Sequence, residues 1–65
     1  MDRTVINHLK NADDELAKTE KILDGLVVER MSKNLCPNSV MRRIGSLMII
    51  RAGLKAVITT CEEEV

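Results

Sequence analysis

"NLCPNS", residues 34 to 39, interrupts a chain that otherwise reads as helix from end to end. Asn34 tolerates the left-handed conformation that closes a helix, and Leu35 is placed to fold back as the apolar contact beyond it. Pro37 cannot continue a helix and disfavours helical geometry at Cys36. Asn38 or Ser39 then reads as the cap of a second helix. A connection this short joins antiparallel neighbours. The expectation is a helical hairpin: a helix over about residues 3–33, a turn at 34–38, a helix over about 39–60 and an acidic tail at 61–65.

Upstream of the turn, Val5, Leu9, Ala12, Leu16, Thr19, Leu23 and Leu26 alternate in steps of four and three. That spacing is the a/d seam of a coiled coil. Thr19 alone is polar, and its methyl group is tolerated there. Ile22, Val27 and Met31 widen the stripe toward its C-terminal end. Lys10, Asp14, Lys18 and Lys21 hold the other face at pairing distances, and Glu29 with Lys33 makes a further pair in the favourable order. Gly25 costs about 1 kcal/mol against alanine inside a helix, so it marks a close contact or a weak point.

Downstream, Val40, Leu47, Ile50, Leu54, Val57, Ile58 and Cys61 fall on one stripe, with Ile44 at its edge. That stripe is expected to face the first helix. Met41, Gly45, Met48, Ile49, Ala52 and Ala56 gather on a separate arc, divided from the stripe on one side by Arg51 and Lys55. A two-helix hairpin buries one face of each helix, so the second arc calls for a further partner. Small residues at 45, 52, 56 and 59 admit another helix closely. With only 65 residues to build a core, the expected architecture is all-α: a two-helix antiparallel hairpin that self-associates into a four-helix bundle dimer or larger.

Ten basic residues balance ten acidic ones, so the whole chain has no field that selects nucleic acid or an anionic membrane. Phe, Tyr and Trp are absent, which leaves Leu, Ile, Val, Met and Ala to build the core. Charge is nevertheless uneven. Residues 1–37 carry seven acids and six bases, residues 38–61 carry four bases and no acid, and Glu62, Glu63 and Glu64 follow. Three acids at a helix C-terminus oppose the helix dipole, which suggests a frayed tail.

The opening MDRTVINHLK lacks the basic start and apolar core of a signal peptide. The run from Ile44 to Ile50 is broken by Ser46 and stopped by Arg51, short of the roughly 18 apolar residues of a membrane span. A cytoplasmic protein without membrane contact is expected.

Reactive chemistry is sparse. His8 is the single histidine and has no nucleophile near it in sequence. Asp13, Asp14 and Glu15, and the pair Glu20 and Asp24, read as a solvated helix face. No further donors recur at ligand spacing, and no Gly-rich loop offers to cradle a phosphate. No enzyme, metal or cofactor is expected. Cys36 and Cys61 would stand about 35 Å apart along the second helix. A disulfide needs Cα atoms within about 7 Å, so reduced thiols are expected, in keeping with the cytoplasm.

These features favour a small regulator or adaptor that acts by binding another protein as a homo-oligomer. Its contact would be built from Met41, Gly45, Met48, Ile49, Arg51, Ala52, Lys55 and Ala56. Flexible methionines suit an adaptable surface. By analogy of size and shape with small helical proteins that often act by occupying or dismantling a partner, that partner is expected to be a protein such as a transcriptional repressor or an enzyme. The alternative is a nucleic-acid-binding protein using Arg42, Arg43, Arg51 and Lys55. A recognition helix needs a polar, base-reading outer face; here that face is largely apolar, with no aromatic to stack on bases. A membrane-surface helix would lack Trp or Phe anchors.

Overall fold

Asp2 begins the first helix. Its backbone is extended, and its Oδ1 accepts the Thr4 N–H at 2.9 Å, which satisfies one of the amides that a helix start leaves unpaired. In the computed structural model, which describes residues 2–64, helix α1 then runs Arg3–Ser32 and helix α2 runs Asn38–Glu63. The two pack antiparallel on each other, and no strand occurs among the described residues. The expected helical hairpin is the observed fold.

The turn forms as its residues suggest. Asn34 takes φ 58°. Its N–H donates to the Met31 carbonyl at 3.1 Å, and the Leu35 N–H reaches back to the Arg30 carbonyl at 2.8 Å. These two bonds are the Schellman closure, and Asn pays less than most residues for the left-handed geometry it requires. Leu35 folds back to share a shallow surface dent with Leu26.

Two boundaries differ from the sequence reading. Neither Asn38 nor Ser39 caps α2. Pro37 stands at the cap with φ −90° and ψ 2°, no side chain caps the helix, and the Met41 N–H bonds to the Pro37 carbonyl at 3.0 Å. A proline with near-helical dihedrals leads directly into the first turn, where its missing N–H costs nothing. Asn38 and Ser39 thereby lie inside the helix, without the extended backbone a capping side chain needs.

The second difference is at the other end. α2 continues through Cys61, Glu62 and Glu63, with Glu64 as its cap; Val65 lies outside the described residues. Cys61 is buried, and Glu62 pairs with Lys10 of α1 at 2.8 Å. Apolar burial and a cross-helix pair outweigh the unfavourable dipole.

Each helix is also turned from its expected orientation. On α1 the sheltered residues are Ile6, Leu9, Asp13, Leu16, Ala17, Glu20, Leu23 and Val27. Leu9, Leu16 and Leu23 belong to the expected seam, but Val5, Ala12, Thr19 and Leu26 are exposed. Their place is taken by the neighbouring column Ile6, Asp13, Glu20, Val27. On α2 the sheltered set is Val40, Ile44, Leu47, Arg51, Leu54, Ile58 and Cys61, again in steps of four and three. Ile50 and Val57, expected inside, are exposed. Arg51 stands inside with Asp13 and Glu20 across from it, and drawing those three together turns both helices by one column.

The product is a rod of 50 × 15 × 11 Å. Its radius of gyration, 15.2 Å, exceeds the ~11 Å of a compact chain of this length. Its accessible surface is 4872 Å², against about 4,200 Å² for a compact monomer of its mass.

Candidate interaction surface and the polar layer beneath it

The residues expected to form a contact surface divide into two groups. Met41, Gly45, Met48, Ile49, Ala52, Lys55 and Ala56 are all exposed on α2. Met41, Gly45 and Met48 border a shallow groove whose other wall is Asp24 and Val27 of α1. Met48, Ala52 and Lys55 border its continuation past Glu20 and Arg51. Ile49, 76% exposed, and Ala56 lie further round, on the outward face. Apart from Arg51, the arc read from the sequence is thus exposed along one edge and the outward face of α2.

Arg51 belongs to a different structure. Its Nε donates to Asp13 Oδ1 at 3.0 Å, and its Nη1 donates to Glu20 Oε2 at 2.9 Å. Only 17% of the side chain is exposed, and both carboxylates are similarly sheltered. The hydrogen bond to Asp13, above all, pushes Arg51 further up an already high range; partial burial pulls the other way, and the charges of Asp13 and Glu20 add to the rise. The guanidinium therefore stays charged and committed within the hairpin. It is a cross-helix tie and not the open rim charge that the sequence suggested.

Asp13 and Glu20, read from the sequence as part of a solvated face, are the residues that reading missed. A signal for them existed. Asp13 and Glu20 fill the two inner slots of the column that Ile6 and Val27 terminate, and Arg51 fills the slot between Ile44 and Ile58. Folding the chain back at the turn sets position 51 opposite position 20. Two acids thus meet one base in an otherwise apolar seam, which is the pattern of a satisfied polar layer. Among the described residues no buried side-chain polar atom lacks a hydrogen-bond partner.

Other polar groups stay at the surface. Lys18 pairs with Glu15 at 3.2 Å and Lys33 with Glu29 at 2.9 Å. The first pairing differs from the Asp14 partner that spacing also allowed; the second is the expected pair. His8 is exposed on α1. Cys36 in the turn is exposed and Cys61 buried, both as thiols. Among the described residues no three His, Cys, Asp or Glu side chains are grouped to hold a metal ion.

One finding bears on membranes. α2 is long and apolar enough, by length and composition, to cross a bilayer. Arg51 falls at the middle of that helix.

No protein-family model matches this chain, and neither a curated protein nor a solved structure matches it.

Proposed function

We propose that this protein is a small non-enzymatic regulator or adaptor, a self-associating helical hairpin that binds another protein through α2. The observation that carries the reading is the apolar strip Met41, Met48 and Ile49, more than half exposed on a helix whose opposite face is already packed. Scattered apolar residues are ordinary on protein surfaces, but a contiguous strip with a charged margin is the form that contact sites take. Two methionines one heptad apart can remodel to fit a partner helix. Lys55 forms no ion pair among the described residues and can steer an acidic partner.

Nucleic-acid binding is the weaker reading, because one of its four cations, Arg51, is matched by two carboxylates. That leaves Arg42, Arg43 and Lys55 for phosphates, beside an apolar strip that reads no base edge. Insertion of α2 into a bilayer would tear Arg51 from Asp13 and Glu20, carry its charge to the hydrocarbon centre, and uncover the apolar face of α1.

The test is affinity capture with the tagged wild type, Met48→Asp and Lys55→Glu, each first shown to be helical by circular dichroism. A protein retained by the wild type should be lost with Met48→Asp and should associate more slowly with Lys55→Glu. Identical capture by all three would sink the reading.

A further inference from the structure

The edge of the rod opposite the methionine strip carries a second unpartnered surface. It is formed by Ile50 and Val57 of α2, 59% and 49% exposed, beside the exposed column Val5, Ala12, Thr19 and Leu26 of α1. We infer that this edge receives a second copy of the chain, turned end for end about a two-fold axis perpendicular to the helices, so that the methionine strip stays open for a different partner.

Charge complementarity selects the occupant. Along α2 the column at this edge reads Arg43, Ile50, Val57, Glu64, one residue every seven. Placed antiparallel against itself it matches at every position: Ile50 meets Val57 of the other copy, and Arg43 meets Glu64. A two-fold contact demands this kind of self-complementarity. Arg43 and Glu64 are exposed and make no ion pair among the described residues. The column bordering the methionine strip reads Met41, Met48, Lys55, Glu62. The same operation there sets Met41 against Glu62 and Met48 against Lys55, and Glu62 is already held by Lys10. Self-pairing suits one edge and not the other.

Two further observations agree. On α1, the midpoint between Ala12 and Thr19 stands at nearly the same height as the midpoint between Ile50 and Val57, given that Arg51 reaches across to both Asp13 and Glu20. One axis therefore serves both helices, and Glu15 beside it is already matched by Lys18 at 3.2 Å. Last, the rod exposes roughly 700 Å² more than a compact monomer of its mass, close to the ~800 Å² each partner buries in a standard interface.

The inference deepens the self-association in the proposed function, and it fails by a different measurement. Sedimentation equilibrium of the full chain should give a dimer in the wild type and in Ala52→Glu, and mainly monomer in Ile50→Glu. A charge exchange keeps the test informative if the Ile50→Glu monomer unfolds. Because the two-fold axis repeats the pair, Arg43→Glu and Glu64→Arg should each weaken dimerisation by about two- to thirtyfold, the scale of two exposed ion pairs, and the double variant should restore it. A wild-type monomer at micromolar concentration, dissociation by Ala52→Glu with Ile50→Glu still dimeric, or a double variant weaker than either single one would each overturn the assignment. Loss of partner capture in Met48→Asp with the dimer intact leaves the two surfaces separate, as proposed.

Discussion

The open end of the hairpin and its middle are held by different physics. At the open end Ile6 is fully buried, with Ile58 and Cys61 sheltered across from it, and stability there comes from apolar area removed from water. At the middle, one guanidinium ties two carboxylates in a seam otherwise made of Leu and Ile. Apolar contacts are forgiving about alignment. A slip by one heptad would still set aliphatic side chains against each other, but it would leave Arg51 beside only one of its two acids and the other sheltered without a cation. The ends therefore supply most of the attraction and the middle supplies the register, a division also found where a single polar residue fixes the alignment of paired helices.

The largest expected effect is at the open end. Ile6→Ala removes the one completely buried side chain among the described residues and should cost about 2–5 kcal/mol of stability, seen as an early thermal transition by circular dichroism. A loss below ~1 kcal/mol, the scale of a well-tolerated core substitution, would show that the open end is not where the attraction resides.

Next comes the middle. Arg51→Leu leaves Asp13 and Glu20 half-sheltered without their cation, and the melting temperature should fall. Replacing Asp13, Glu20 and Arg51 together by Leu should recover stability, since a well-packed apolar layer equals or exceeds a sheltered ion cluster. The recovered protein should show mixed alignments, read as multiple distances between spin labels placed on α1 and α2. A single sharp distance in the triple variant would refute the assignment of register to the polar layer.

The smallest effect separates the ends by pH. The hydrogen bond from Lys10, with its charge, holds the Glu62 carboxyl below the usual glutamate range. A carboxyl depressed by folding contributes stability above its unfolded pKa of ~4.3. That contribution is lost as pH falls through the lower, folded value. Acidification below this range should release the last turn of α2 more in the wild type than in Lys10→Met, followed by amide exchange at Cys61 and Glu62. Equal acid response in both proteins would remove the Lys10–Glu62 pair from the account.

The hairpin was legible because its evidence is local. Asn34, Leu35 and Pro37 carry their turn chemistry within four residues, and Leu9, Leu16 and Leu23 mark a helix face without knowledge of its partner. Orientation about each helix axis was not legible in the same way. The column Val5, Ala12, Thr19, Leu26 is more apolar than Ile6, Asp13, Glu20, Val27, so a rule that buries grease chooses the wrong one. The deciding term is a contact between residues 31 and 38 positions apart, which periodicity within one helix does not register. The methionine strip was visible as surplus apolar surface, whereas the sheltering of Arg51 became plain only with α1 in place. The tail erred in a related way: the dipole argument for Glu62, Glu63 and Glu64 was sound locally, and Cys61 with Lys10 overrode it.

The two thiols give the molecule a clock. Cys36 sits exposed in the turn, while Cys61 is buried next to Glu62, which pairs with Lys10 of α1. An alkylating reagent in excess will therefore consume the first at its chemical rate and the second only as often as the open end parts. The ratio of the two rates measures how much of its time the hairpin spends unzipped at that end. No foreign probe is needed, because the reference and the reporter are built into one chain.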